Sequence, residues 1–432
     1  MADTETGNGP EPDRPTAGWG RLRRLAIAIV LVAIVTTVVV QWRSASRGRV
    51  EGVAAAARGN SSLARQRLED YLGWFSGDDE ARLLLARAII TDDSLGLTHA
   101  IDLALEQLDH VDDSSPVAAL AHARAGRLLL LLAHRPAAAQ HRIQLALDLD
   151  PELVDAHLVA WKLYDLTRRG HRVEPHFWKV LDAAQGNDQK RKRLQEWYFS
   201  QFVHGVATGE MDRNMGFLEQ DQTPNATTEF HRLIEFRSAE PLEPLGHAAV
   251  AGWFLAAGDP EQAWRVLDET TELAGARQHP LWIATAVACL LELGRLEDAA
   301  NFARDWPETQ HGHIYWRLTG RVIEEAERDD RKAVDAYRKA IDAWPGHSDW
   351  KTRFRLAGCL QRLGQDELAE TERTRAEAVR DLMRQSTHQR LLQLAAETSD
   401  AGQRVEFFRQ FYRALGRPAE QQAWTSLNHS TP

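Results

Sequence analysis

Ala263, Ala299, Ala333 and Ala369 follow one another at intervals of 36, 34 and 36 residues, and Gly258, Gly294 and Gly364 each stand five residues before one of them. This ladder constrains the chain more than any other feature. A unit near 34 residues cannot bury its own apolar face, so it must stack on its neighbours, and helical hairpins are the units that do so. The stretch from Ile314 to Pro345, IYWRLTGRVIEEAERDDRKAVDAYRKAIDAWP, is the clearest copy. It breaks at Asp329 and Asp330 into two amphipathic helices of about three turns each, and Pro345 closes the second. Ala333, Tyr337 and Ala340 fall at i, i+4 and i+7, on one face, where small side chains let a paired helix come close. The same order returns 194 residues earlier as Ala139, Ile143, Ala146 and Pro151. An ordinary bundle with evenly spaced alanines is the rival reading, and sustained self-similarity argues against it.

These residues resemble the tetratricopeptide repeat family, whose unit pairs an aromatic or apolar first helix with an alanine, an aromatic four residues later and a closing proline. Around Ala263 the first helix reads HAAVAGWFLAAG, and Phe254 holds the aromatic place. Gly258-Asp259-Pro260 makes the turn, because glycine tolerates a positive φ and proline opens the next helix. Gly294-Arg295-Leu296 and Gly364-Gln365-Asp366 repeat it. Two departures stand out: Arg328 replaces the turn glycine in the Ala333 copy, and the family's leucine-glycine pair reads Leu356-Ala357 in the last. Upstream the signal continues through Gly59 and Ala64, then Ala100 and Ala139. The 124 residues from Ala139 to Ala263 are no whole multiple of the period, and breakers at Gly186-Asn187-Asp188, Thr223-Pro224-Asn225 and Pro241 to Pro244 interrupt it. The resemblance covers about two thirds of the chain. It implies an all-α fold, a tetratricopeptide-type α-solenoid of helix-turn-helix repeats following one N-terminal transmembrane helix. Divergent repeats occupy 43–184, an irregular helical segment 185–245, repeats 246–380 and capping helices 381–432. The cap carries Leu391, Leu392, Leu394, Phe407, Phe408 and Phe411 at helical spacing and is expected to cover the last repeat.

Leu25 to Trp42, LAIAIVLVAIVTTVVVQW, holds no charged residue, and as a helix its eighteen residues span ~27 Å, close to a bilayer's hydrocarbon thickness. Trp19 and Trp42 flank it, with Arg21, Arg23 and Arg24 on one side and Arg43, Arg47 and Arg49 on the other. Arg14 adds a cation to the amino-terminal side. The expectation is a short tail over 1–24 in the cytoplasm, a membrane anchor over 25–42 in contact with the lipid bilayer, and an extracytoplasmic main domain, periplasmic in a bacterium. The rival is a signal peptide cleaved near Ser44 and Ser46, giving a secreted protein. The apolar run is longer than a usual signal core, and bulky Trp42-Arg43 occupies the approach to the site.

The formal charge of −10 lies wholly in residues 25–432, since Asp3, Glu5, Glu11 and Asp13 cancel Arg14, Arg21, Arg23 and Arg24. So acidic a domain lacks the positive surface that phosphate binding needs, and no nucleic acid partner is expected. Lys190-Arg191-Lys192-Arg193, beside Trp197, Tyr198 and Phe199, reads as a solvated helix start. Cys289 and Cys359 sit two repeats apart in first helices, beyond bridging range, and read as buried thiols. Most of the fourteen tryptophans read as core.

Among seventeen histidines the candidate ligand sets are His171, Glu174 and His176, and His311 with His313. Pro175 breaks the first pattern, and the i, i+2 spacing of the second puts its members on different helix faces. No nucleotide loop, nucleophile elbow or paired-cysteine motif occurs, so no catalytic residue, metal or cofactor is expected, and an enzyme subunit is the outside alternative. The favoured function is a membrane-anchored scaffold that holds a protein or peptide segment in a concave groove, in the assembly of an envelope complex. The resemblance implies that first helices line that groove. In the last clear repeat this helix carries Lys351, Arg353, Arg355, Gln361 and Arg362, a cationic cluster suited to an acidic segment or a terminal carboxylate. The family's carboxylate-clamp asparagines are absent from these helices.

Overall fold

A computed structural model describes residues 18–204, 226–273, 275–306, 312–383 and 401–427. Most of the expected tail over 1–24 lies outside them, as do Thr223-Pro224-Asn225, His311, Leu391, Leu392 and Leu394. Among the described residues every regular element is helical. The chain divides into two compact units, Met1–Asp112 and Asp113–Pro432.

The first unit holds α1 (Gly18–Ala57), α2 (Ser61–Leu72), α3 (Asp79–Ile90) and α4 (Leu97–Asp109). The expected anchor forms the first part of α1, and its described residues from Ile29 to Val40 are exposed. The rest of α1 pairs with α2. There Gly48 and Gly52 admit the facing helix, for a Cβ on either would come within 2.7 Å of the Arg67 carbonyl or 2.8 Å of Leu68.

In the second unit the helices are α5 (Ala118–Leu131), α6 (Pro136–Leu149), α7 (Val154–Leu166), α8 (Glu174–Asp182), α9 (Gly186–His204), α10 (Ala226–Ala239), α11 (Pro244–Ala256), α12 (Pro260–Asp268), α13 (Pro280–Glu292) and α14 (Leu296–Arg304), followed by α15 (His313–Val322), α16 (Asp330–Asp342), α17 (Trp350–Arg362), α18 (Asp366–Leu382), α19 (Ala401–Leu415) and α20 (Pro418–Ser426). From α11 to α18 they pair into the antiparallel hairpins that the alanine ladder predicts.

One turn geometry builds these hairpins. Gly258, Gly294 and Gly364 take φ of 82°, 71° and 73°, the left-handed state that ends a helix, and the following N–H reaches back to the carbonyl five residues earlier. The residue accepting the turn then starts the second helix; Asp259, for example, caps α12 by accepting from the Gln262 N–H at 2.9 Å. Arg328 adopts the same state at φ 59°, after a wider π turn over Ile323–Glu327. So do His134 and Arg168, at φ 55° and 58°. Five residues beyond each of these turns the chain places Ala139, Val173, Ala263, Ala299, Ala333 or Ala369, all essentially unexposed. The α5–α6 and α7–α8 hairpins therefore belong to the same construction, with a left-handed non-glycine turn at a cost of about 1–2 kcal/mol each.

Ala333 is unexposed in a core cluster with Tyr337 of its own helix and Leu356, Cys359 and Leu360 of the next hairpin, so Ala333→Trp is expected to overpack it and cost ~1–3 kcal/mol. Glu327→Ala, at an exposed turn position, should stay within ~0.5 kcal/mol. Thermal melts of the two variants compare them, and equal midpoints would remove the repeat register.

The array is not a simple neighbour-to-neighbour stack. Glu240, just past α10, caps α6 across about a hundred residues: the Ala137 and Ala138 N–H groups donate to its carboxylate at 2.7 and 2.9 Å. The terminal α19–α20 hairpin shares one core cluster with Val379 of α18 and Met383 just past it, and with residues of α8 and α9. There Trp197 stacks on Phe177 at 4.1 Å and on Trp344 at 4.5 Å, and its Nε1–H donates to Glu420 at 3.2 Å. Arg417 ties Glu420, at 2.6 Å, to Glu174. The segment expected to be irregular thus supplies the seat on which the end of the array closes. Of Lys190-Arg191-Lys192-Arg193, expected as a solvated helix start, only Lys192 is exposed; Lys190 is half-buried, Arg191 and Arg193 are half-buried and paired with Asp188 at 3.0 Å and Glu196 at 2.8 Å, and Trp197 and Tyr198 are core.

Candidate functional site

The first helices of the four later hairpins, α11, α13, α15 and α17, line a cavity of about 520 Å³. Each of the four first helices contributes a pair of lining residues three apart: Gly252 and Leu255, Thr285 and Ala288, Leu318 and Arg321, Thr352 and Arg355. A helix presents i, i+3 and i+4 to one side, so both members of each pair face the cavity. Ala248, Ala249, Gly252, Ala256, Ala284 and Ala288 keep the floor low and apolar. The left-handed turn between α7 and α8 borders the opening with Arg168, Gly170 and His171.

Charge around the cavity is unevenly matched. Arg321 is held by Glu292 at 2.6 Å and Glu325 at 2.9 Å. Arg355 is held by Glu324 at 3.0 Å and Glu325 at 2.9 Å. At the cavity wall His313 donates from Nδ1 to the Ala340 carbonyl at 3.0 Å and meets Asp349 through Nε2 at 3.3 Å. Burial alone would raise the Asp349 carboxyl, but the hydrogen bond and charge of His313, with Arg317 and Thr352, hold it at about 2. Gly346 makes this corner possible, since a Cβ there would lie 1.9 Å from the Ala340 carbonyl oxygen. Arg317 differs from its neighbours. Among the described residues it has no ion-pair partner, and its Nε is buried without an acceptor. Burial lowers its pKa, as do the nearby Arg321 and Arg355, against the pull of Asp349 and Glu292. Arg317 is thus a buried guanidinium on the cavity lining that feels Asp349 and Glu292 at a distance but pairs directly with no carboxylate among the described residues.

The five residues expected to form a cationic cluster do not act together. Lys351 and Arg355 reach the cavity, and the Lys351 ammonium also sits 5.4 Å from the Trp350 ring centroid. Arg353 turns to α18, where it pairs with Glu372 at 3.1 Å, and Gln361 accepts a hydrogen bond from Arg373 at 3.0 Å. Arg362 binds Asp330 and Glu324, both at 2.7 Å, beside the π turn. Glu324 is the hub of that network: burial would raise its pKa, and hydrogen bonds from Tyr337, Arg362 and Arg355 bring it below the ordinary value. The cluster is largely neutralised from within, because the acidic π turn of one hairpin lies against the first helix of the next. Replacing Arg355 and Arg362 by Glu would set like charges against Glu324 and Asp330, so it would perturb packing as well as any ligand. Arg317, Arg321 and the Arg168–His171 turn escaped the sequence reading. The alanine ladder sets Arg321 against Ala357 of the last repeat rather than against another cation, so periodicity carried no signal for it.

The histidine sets separate. His176 Nδ1 lies 2.7 Å from that of His157, Glu174 binds Arg417, and His171 points to the cavity. Among the described residues no group of three or more His, Cys, Asp or Glu side chains is placed to hold a metal. Cys289 and Cys359 are free and buried, and burial pushes both thiols up to about 12.

These hairpins, their left-handed turns and their buried alanine register define a tetratricopeptide-type helical-repeat protein, a class whose stacked units create extended concave binding surfaces. No family model and no curated protein matches the chain. Among solved structures it is similar to MamA from Desulfovibrio magneticus, at 18% identity and TM-score 0.29 over 40% of this chain and 96% of that one. It is also similar to a tetratricopeptide repeat protein from Parabacteroides merdae, at 11% identity and TM-score 0.31 over 74% of this chain and 99% of that one. At these values the likenesses stand beside the fold assignment, which rests on the hairpins themselves.

Proposed function

We propose that this protein is a membrane-anchored scaffold whose inner cavity holds an extended protein segment bearing a carboxylate. The observation that carries the reading is Arg317, a guanidinium without an ion-pair partner among the described residues, which lines the same cavity as several alanines and glycines. A buried cation seeks a hydrogen-bonding anion, and small residues let a main chain approach closely. Assembly of an envelope complex is the biological setting that an anchor plus such a groove suits. The anchor reading draws support from α1, which runs unbroken from the apolar segment through Ser44 and Ser46 to Ala57. It is the helix among the described residues long and apolar enough to cross a bilayer. Residues 25–42 then span the membrane, with the main domain extracytoplasmic; a reporter fused after Pro432 tests the orientation, and release of a shortened soluble protein would establish signal cleavage instead.

For the cavity, the full chain is titrated with fluorescent extended peptides that carry or lack acidic residues. Acidic peptides are expected to bind, and Arg317→Ala to weaken them ~10- to 100-fold, the range of a lost charge-assisted hydrogen bond of ~1.5–3 kcal/mol. Undiminished binding by an Arg317→Glu variant of unchanged helical content would move the site elsewhere.

A further inference from the structure

The first unit carries exposed aromatics that its own packing leaves unexplained. Trp42, the last residue of the uncharged run, is 49% exposed, and Trp74, in the turn between α2 and α3, is 45% exposed. They are near each other for a structural reason. Beyond Trp42, α1 continues for fifteen residues to Ala57, and α2 returns antiparallel to it, with Gly48 against Arg67 and Tyr71 and Gly52 against Ala64 and Leu68. Twelve helical residues retrace ~18 Å, which brings the end of α2 back to the level of Trp42. The Trp42 and Phe75 ring centroids lie 6.3 Å apart, and Phe75 stacks on Tyr71 at 4.8 Å. The turn is held there: Tyr71 donates to Asp78 at 2.8 Å, and Arg49 of α1 bridges Asp78, at 3.2 Å, and Glu80. Arg43 and Arg47 are exposed on the same stretch of α1.

We propose that the α2–α3 turn, Gly73 to Gly77, is a second membrane contact, with Trp74 seated in the headgroup layer beside Trp42. The occupant of this face is the bilayer, because the face is continuous with the apolar run and lies at the level where that run ends. Tryptophan's apolar ring and N–H donor suit the interface, and arginines at that depth meet lipid phosphates. The unit would then sit against the membrane surface rather than hang from one helix. This inference rests on the anchor reading, and its test separates the two.

The full chain is reconstituted in phosphatidylcholine and phosphatidylglycerol vesicles with a single new thiol, Ser76→Cys beside Trp74, Ser62→Cys at the far end of the α1–α2 hairpin, or Val35→Cys in the anchor. Each is labelled with an environment-sensitive fluorophore, with the parent chain and its two buried cysteines as baseline. Lipids bearing a nitroxide at the headgroup or deep in the acyl chain act as quenchers. The expected result is deep quenching at Val35, headgroup quenching at Ser76 at least threefold that at Ser62, and loss of the Ser76 signal on adding Trp74→Glu. Quenching at Val35 without excess at Ser76 overturns the docking and leaves the anchor standing. No quenching at Val35 overturns both. A Ser76 label shielded from an aqueous quencher yet untouched by nitroxide lipid assigns the face to a protein and overturns the proposal.

Discussion

Trp197→Ala should destabilise the second unit by ~3–5 kcal/mol, the range for truncating a fully buried tryptophan. Trp197 is unexposed, sandwiched between Phe177 and Trp344, and its Nε1–H is one of the donors to the buried Glu420 carboxylate. The variant opens a cavity and removes one of the links that hold the C-terminal hairpin to α9. The location of the effect is as informative as its size. In a stack stabilised only by neighbours, a cavity in α9 would loosen α8 and α9 alone. Because α19–α20 closes back on this seat, hydrogen exchange in Trp197→Ala is expected to accelerate in α19 and α20 as well, more than two hundred residues away in sequence. Trp74→Ala, at an exposed position, is the control and should leave exchange in these helices unchanged. Protection of α19 and α20 at parent levels in the Trp197 variant would mean that the hairpin is held from α18 alone.

Acid is expected to weaken the second unit well above the carboxylate range. Burial lowers the pKa of His176 to about 4, aided by His157 and Arg172. It lowers His279 to about 3, aided by Arg169 and Arg172. It lowers His347 to about 4, aided by Arg417 and Arg353. An unfolded imidazole titrates near 6.5, so between that pH and these lower values the unfolded chain binds more protons than the folded one. The stability tied to the neutral rings is thus fully present above pH ~6.5 and falls as pH drops toward 4. At pH 5 each ring contributes a loss on the order of 2 kcal/mol. Asp349 and Glu324, held below their ordinary values, add losses only at lower pH; Glu240, raised by burial, works in the opposite sense there. Denaturant midpoints at pH 7 and pH 5 measure the effect, and His279→Gln should shrink the difference. Identical midpoints at the two pH values would remove this account.

The hairpin period was legible in the sequence because it depends on neighbours. A small residue at a helix–helix contact and a left-handed residue at the turn are local requirements, and Ala263, Ala299, Ala333 and Ala369 with their glycines display both. His134, Arg168 and Arg328 make the same turn without glycine. The two upstream turns stayed hidden, since a left-handed non-glycine residue is imposed by the helices on either side and leaves no mark in residue type. The apolar run of α1 was legible for the same reason as the repeats: it is continuous along the chain.

The closure of the array and the composition of the cavity were decided by tertiary structure alone. Trp197, Glu420, Arg417 and Glu174 look like scattered core and surface residues until the fold packs the α19–α20 hairpin against α8 and α9. Arg353, Arg355 and Arg362 read as one cationic group because they share a helix, yet their partners come from different neighbours: Glu372 from α18, and Glu324, Glu325 and Asp330 from the preceding hairpin. Whether a charge faces a ligand or an ion-pair partner depends on what packs against it, and a periodic pattern records which face is buried but not which residue lies opposite.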